Sequence, residues 1–581
     1  MKNPSRLFSR IVITALIITL ISTSALPVFA AAPEKDKKAK ATAAPQPKPK
    51  DPNAVDLDLI TRIRLEAFHN SKVMETLSEL TDHIGPRLTN SPNMRKANAW
   101  TRDQLTKWGM ENAHLEAWGP FGRGWSYEVS TTRMTAPDTA ELIVLPKAFT
   151  PGTDGPVRGN VVRARISSVD DFEKYRGKLK GHIVLLGEPR QLEPHGEVQM
   201  KRFDDKELAE LSQFKIGERR QYDAAALRRR FQFLPALNKF LNEEQPAVVI
   251  EPSRPPGDGG TVFVQGGGSY KKDEPAGPPY LVMNTEHWGR IARLLDRNVA
   301  VEMEVNVTAA FYDDDPFGYN TIAEIPGSDS ALKDEVVMIG AHLDSWQGGT
   351  GATDNGAGSA VMMEVMRILK AVGASPRRTV RIALWSGEEQ GLYGSKGYVK
   401  EHFGARAPST DPADKDLPDF MQRSKGAVET KPEHGKISVY FNVDSGTGKI
   451  RGVHLQENAA VAPIFQQWME PFRDLGMTTL TMRNESGSDF LSFDEVGIPG
   501  FEFLQDEIEY DSRTHHSNMD VYERIQKEDL MQASAIVASF VYQAAMRDEM
   551  LPRKPMPEPA KSEAKPEAAK TPEAAKKDAK K

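Results

Sequence analysis

Short apolar runs alternate with longer amphipathic stretches through the second half of the chain. Residues 321–325, 336–340, 378–385, 437–443 and 500–504 are rich in β-branched and apolar side chains and predict strands. Residues 359–372, 395–402, 460–475 and 527–546 carry apolar positions at helical spacing. Such alternation predicts an α/β fold with helices on both faces of the sheet. Ligands of such sheets bind outside the carboxyl ends of the strands. His342, Glu388, Glu389 and Asp444 all fall just beyond predicted strand ends.

The first half reads differently. Helical spacing recurs over 57–68, 73–80 and 94–108, and 114–118 predicts a strand. From about 125 to 307 short β-rich runs dominate, at 140–145, 161–166, 181–186, 247–250 and 261–264. Gly/Pro loops separate them, with one basic helical stretch at 217–233. Arg228, Arg229 and Arg230 in that stretch read as a solvated helix face, because acidic residues surround them. Gly266-Gly267-Gly268 lacks the Lys-Ser/Thr of a phosphate loop and reads as a hairpin loop.

The termini are not patterned for packing. Lys2, Arg6 and Arg10 precede an apolar run at 11–21, and Val28-Phe29-Ala30 is a small-residue cleavage site, the layout of a secretory signal over 1–30. The competing reading is an uncleaved anchor, but Ser22, Thr23, Ser24 and Pro27 interrupt the stretch. Residues 31–54 and 552–581, rich in Lys, Ala and Pro, read as disordered segments. The expected location is therefore periplasmic or secreted, with no stable membrane insertion after signal cleavage.

Composition narrows the chemistry. The net charge of −6 gives no reason to expect nucleic acid as a partner. The chain has no cysteine. This excludes disulfides, a lipidated cysteine anchor, thiolate ligands and a cysteine nucleophile, so any metal is held by His, Asp and Glu. Ser386-Gly387 lacks the Gly-x-Ser-x-Gly elbow of a serine hydrolase.

The segment Trp385-Ser386-Gly387-Glu388-Glu389-Gln390-Gly391 places two carboxylates side by side at a strand end. Neighbours on an extended chain point to opposite sides, so one can bind a metal while the other moves protons. Asp344 lies two residues after His342 and can fix its tautomer. Asp354 sits in a Gly-rich turn before a helix, a place suited to bridging two metals. Asp444 ends a strand. His515 and His516 precede Asp520, a nearby acid able to orient a ring. Each residue alone is ordinary; together they fill two metal sites that share one bridge, with one Glu to spare.

These residues resemble the co-catalytic di-zinc exopeptidases, the family of leucyl aminopeptidases and plasma glutamate carboxypeptidase. The similarity runs from about 67 to 553 and looks closest to the carboxypeptidase Q branch. It is carried by His342-Leu343-Asp344-Ser345-Trp346, the Glu388-Glu389 segment, Gly487-Ser488-Asp489-Phe490 and His515-His516-Ser517. The resemblance implies a mixed, mostly parallel sheet. It implies an N-terminal part of the catalytic domain at 55–124, an inserted protease-associated domain at 125–307 and the main catalytic part at 308–551. It also implies two zinc ions per chain. His342 and Asp444 would hold one, Glu389 and His516 the other, and Asp354 would bridge them. Glu388 would be the general base, acting on a bridging water, and Asp344 the partner of His342. The implied substrates are short peptides with a free N-terminus, and the family suggests a homodimer. Asp489 is a candidate contact for a substrate amine, with a structural loop acid as the bland alternative. His515 competes with His516, which is favoured because the family ligand directly precedes Ser or Thr. Asn355 stands where many members have Asp, and Phe490 where many aminopeptidases have His, so side-chain preference does not transfer. Carboxypeptidase specificity, glutaminyl-cyclase-like acyl transfer and a non-catalytic binding role are the alternatives on the same fold.

Overall fold

All seven residues of the strand Val336–His342 are buried. A strand buried on both faces reads as a continuous apolar run. Its alternate side chains divide between two cores. Val337, Ile339 and Ala341 pack with the helices Leu57–His69, Ala357–Ala371 and Lys527–Met546. Val336 and Met338 pack with Tyr398 and Phe403 of the Tyr393–His402 region and with Phe490 and Phe493 of Phe490–Asp494. The sheet is thus covered by helices on both faces.

The computed structural model describes residues 55–558, apart from 191–198, 214–223, 256–258, 410, 412–413, 415–421 and 423–424. The signal expected over 1–30, the segment 31–54, the tail from 559 and the start of the basic stretch lie outside the described residues, as do the side chains of Arg228 and Arg230. Arg229 is exposed. Among the described residues no helix is long and apolar enough to cross a membrane.

The sheet has eight strands in the order Glu111–Trp118, Gly318–Ile325, Thr379–Trp385, Val336–His342, Ile437–Asn442, Gly500–Gln505, Ile450–His454, Thr479–Thr481. The four strands from Thr379–Trp385 to Gly500–Gln505 are parallel neighbours. The first two strands and the Ile450–His454 strand join antiparallel. Register aligns His342 with Trp385, and Gly340 with Asn442. The ends of three adjacent strands are therefore level, and the residues just after them share one edge.

Residues of the 125–307 region belong to a second eight-stranded sheet, ordered Ala140–Glu141, Gly124–Ala136, Glu302–Tyr312, Val157–Ala164, Ile183–Leu186, Val248–Pro252, Tyr280–Met283, Val144–Pro146. Its strands from Val157–Ala164 to Tyr280–Met283 pair in parallel. Ile183 and Leu185 pack on one side with Trp288 and Ile291, while Val184 and Leu186 pack on the other with Leu237 and Phe240. The module is not merely β-rich, since the helices Thr285–Asp296 and Ala224–Glu244 cover its two faces.

Several local expectations change. Residues 261–264 form no strand, only a single bridge between Phe263 and Ser517. The Gly266 triplet is not a hairpin loop: Gly266 bridges Ala148, and Gly268 lies so close to the Phe149 carbonyl that a Cβ would sit 1.7 Å from its oxygen. The 460–475 helix is α-helical only over Ala462–Met469 and tightens to a 3₁₀ turn over Glu470–Leu475.

Candidate metal centre

Five chain features place the site. The strand Val336–His342 ends on His342, and the turn after Thr379–Trp385 carries Glu388 and Glu389. That turn needs Gly387: its φ is +74°, and a Cβ there would stand 2.6 Å from Trp118. Asp444 follows the strand Ile437–Asn442. Asp354 lies in the Gly-rich turn ahead of the helix Ala357–Ala371. His516 comes from the loop beyond Gly500–Gln505, with a left-handed φ of +63°.

The side chains converge around Asp354. His342 Nε2 lies 3.2 Å from Asp354 Oδ1 and 3.1 Å from Asp444 Oδ1. His516 Nε2 lies 3.2 Å from Asp354 Oδ2 and 2.9 Å from Glu389 Oε2. His342, Asp354 and Asp444 bring donor atoms within 4.8 Å of one another, and so do Asp354, His515 and His516. Glu389 joins the second group through His516. His515 Nε2 stands farther from Asp354 Oδ2, at 3.8 Å, and its ring stacks on Tyr510. Among the described residues, Asp354 Oδ2 and Glu389 Oε1 are buried without a hydrogen bond. Buried carboxylate oxygens left in that state, aimed among imidazole nitrogens, fit a divalent cation of borderline softness.

Supports differ from those read in the sequence. Asp344 holds the His342 ring through its backbone: Nδ1 is 3.0 Å from the Asp344 carbonyl, while the carboxylate stands 3.7 Å away. That carboxylate accepts from Thr89 Oγ1 at 2.8 Å and from the amides of Glu388 and Glu389, each at 3.3 Å. It therefore fixes the paired-glutamate turn against the His342 strand. Asp520 does not orient a histidine. It accepts from the Thr353 amide at 2.5 Å and hydroxyl at 2.8 Å, and so clamps the Asp354 turn. Asn355 donates to the Val443 carbonyl at 2.8 Å and accepts from the Gly358 amide at 2.9 Å. An Asp could not make the first bond, which accounts for Asn here. Buried Arg87 donates to the carbonyls of Leu343, Thr350 and Gly351 at 2.7, 2.8 and 2.7 Å. Glu502 accepts from the Asp444 amide at 2.8 Å. Thr89, Arg87 and Glu502 had no sequence signal, since their partners lie far away along the chain.

Electrostatics follow from crowding charge in a dry place. Burial is opposed at His342 by Asp444 and Glu388, and the imidazole is held well above its ordinary pKa. Burial also works against the charged form of His516, but Glu389 and Asp354 bring its pKa up to about 10. Burial and Asp354 raise Glu389 to about 8. Burial raises Glu388 well above the carboxylate range; His342 opposes this, while Asp444, Asp489 and Glu389 add to it. Among the described residues Glu388 enters none of the ion pairs that tie the other groups together. It is the carboxylate left over.

Asp489 is fully buried on the His342 and Asp444 side, and burial raises it to about 7 from an ordinary 3.8. The folded pKa exceeds the unfolded one. Stability from this group is therefore fully present below pH 3.8 and is lost as pH rises toward 7. At about 1.4 kcal/mol per unit the loss is a few kcal/mol. Metal-free Asp489→Asn is expected to be more stable than metal-free wild type at pH 8 and to match it at pH 3.5. Denaturant melts in chelator at both pH values read this; a difference independent of pH would contradict it.

Residues 320–541 match the model of peptidase family M28. The chain is 25% identical to carboxypeptidase Q of Mus musculus over 487 residues, covering 84% of this chain and 88% of that protein. It is 29% identical to aminopeptidase YwaD of Bacillus subtilis over 221 residues, 37% of this chain and 42% of that one. A solved structure, the peptidase M28 precursor from Shewanella amazonensis, superposes with a TM-score of 0.60 at 22% identity, over 86% of this chain and 98% of that one. That likeness shows the fold.

Proposed function

We propose that this chain is a metallo-exopeptidase of peptidase family M28, an exported two-zinc enzyme that removes residues from short peptides with a free N-terminus. The observation that carries the reading is one shared carboxylate, Asp354, between two donor groups, with Glu388 left out of every ion pair among the described residues. His342, Asp444 and Asp354 would hold one ion, and His516, Glu389 and Asp354 the other. His515 is the alternative donor on the second side. Imidazole and carboxylate donors suit zinc.

Zinc held there supplies Lewis acidity toward a carbonyl oxygen and makes water a better nucleophile near neutral pH. The chain's own part is proton traffic and positioning. Glu388 accepts the proton of the attacking water at its carboxylate, a new C–O bond forms, and the C–N bond breaks as Glu388 passes that proton to the departing amine. Asp344 keeps Glu388 in place through its amide. The second sheet, formed within 124–312, fits an inserted protease-associated module, and Asp489, buried within electrostatic reach of His342 and Asp444, is the candidate contact for a substrate amine.

A panel of dipeptides separates the specificities. Free-amine substrates should be cleaved, N-blocked ones should not, and chelator should abolish cleavage. Carboxypeptidase specificity is the second reading, favoured by the name of the carboxypeptidase Q relatives, which are similar over most of this chain. Cleavage of N-blocked substrates that requires a free carboxylate would establish carboxypeptidase specificity instead.

A further inference from the structure

We infer that Gln265, contributed by the second-sheet region, is a positioning residue for His516, so that this region completes one side of the metal centre and not the other. The inference rests on the reading of His516 as a ligand. The two candidate histidines are held differently. His342 sits at the end of a central strand, and its outer nitrogen is met by the carbonyl of Asp344, two residues on. Among the described residues His516 has no such local partner. Its Nε2 faces Glu389 and Asp354, and its outer nitrogen, Nδ1, lies 2.8 Å from the side-chain amide of Gln265.

A histidine that ligates through Nε2 carries its proton on Nδ1 and needs an acceptor there. A carboxamide offers one by turning its oxygen inward, and oxygen and nitrogen of an amide exchange by a half-turn about one bond. The backbone around Gln265 is itself pinned. Its carbonyl accepts from the Ala148 amide at 3.0 Å and from Gln347 at 3.4 Å.

The backbone of the ligand loop leans on the same segment. Val264 donates its amide to the His516 carbonyl at 2.9 Å, and the Asn518 amide reaches the Val262 carbonyl at 3.1 Å. Asn518 Oδ1 in turn accepts from the Val262 amide at 2.7 Å. A second grip holds the loop nearer its start. Lys201 and Ile508 exchange both backbone hydrogen bonds, at 2.8 and 2.7 Å. Arg202 reaches Asp506 at 3.0 Å and Asp529 at 2.7 Å. His516 needs this support. A non-glycine residue at φ +63° costs about 1–3 kcal/mol and persists only where its surroundings over-determine it.

The test is a zinc titration against a chromophoric chelator, with wild type, Gln265→Leu and Gln265→Glu. Wild type should take up two equivalents. Gln265→Leu should keep one at wild-type affinity and hold the other about 10–100-fold more weakly. Gln265→Glu, which preserves the acceptor, should restore both. The melting temperatures of the three metal-free proteins should agree. If wild type binds two equivalents and Gln265→Leu binds both unchanged, the positioning role is overturned while the metal reading stands. Equal weakening of both equivalents, or a lower melting temperature without metal, would make Gln265 merely structural and overturn it as well. Failure of wild type to bind zinc would bring down the metal reading and this inference together.

Discussion

Glu388→Gln is expected to lower kcat by about 10²–10⁴-fold, the range a positioned general base supplies, while both zinc equivalents remain bound. Gln is nearly isosteric and keeps the backbone amide that donates to Asp344 Oδ1, so the turn should survive. What disappears is the proton acceptor. Fold stability gives a second readout. The carboxyl of Glu388 is held well above its ordinary value of 4.5, chiefly by burial. Its contribution is thus present below that pH and lost as pH rises. A neutral amide escapes this loss, so the metal-free variant should be at least as stable as metal-free wild type at pH 7. Glu389→Gln should do the opposite on the metal side. It removes the carboxylate 2.9 Å from His516 and should weaken one zinc equivalent. If Glu388→Gln lost zinc while Glu389→Gln kept it, the two roles would have to be exchanged; near-wild-type turnover in Glu388→Gln would refute the general-base assignment outright.

What the sequence makes legible here is what local pattern encodes. A fully buried parallel strand is a continuous apolar run, so the ends of Val336–His342 and Thr379–Trp385 can be found within a residue or two. The polar residues that follow them stand out. The Gly-rich turn marks Asp354 for the same reason. Structure decided by distant partners is less visible. Thr479–Thr481 is three residues long and is a strand only because Ile450–His454 lies beside it. The run at 261–264 has strand-like composition. Its valines at 262 and 264 fill a small core with Val282, and its backbone spends its hydrogen bonds on the His516 loop. Asp520 illustrates the limit within the site. Proximity in sequence to His516 suggested one partner, whereas the fold gives it Thr353, 167 positions away. Gln265, exposed and without charge, carries no mark at all until the two segments meet.

Asp354→Asn is expected to abolish tight binding of both zinc equivalents, and with it activity, because one carboxylate serves both donor groups. Its Oδ1 faces His342 and its Oδ2 faces His516, each at 3.2 Å. An Asn offers a single oxygen and no charge, so neither side keeps its full set. The same substitution should lower the stability of the metal-free protein at neutral pH. Burial opposes ionisation of Asp354, yet the two imidazoles outweigh it and hold the carboxyl well below its ordinary 3.8. A depressed folded pKa contributes stability that is present above the unfolded value and is lost as pH falls through the folded one. Removing one partner of such a buried group costs about 3–5 kcal/mol where the remaining charge cannot be relieved. The cost here should be smaller, because the histidines can release their protons. Zinc then separates the two proteins further. At a free concentration about 1,000-fold above Kd, each occupied site adds about 4 kcal/mol to wild type. The melting temperature of wild type should therefore climb with zinc while that of Asp354→Asn stays nearly flat. A variant that still takes up two equivalents, or whose melting temperature rises in parallel with wild type, would show that Asp354 is not the shared ligand and would leave Asp444 and Glu389 to hold two independent ions.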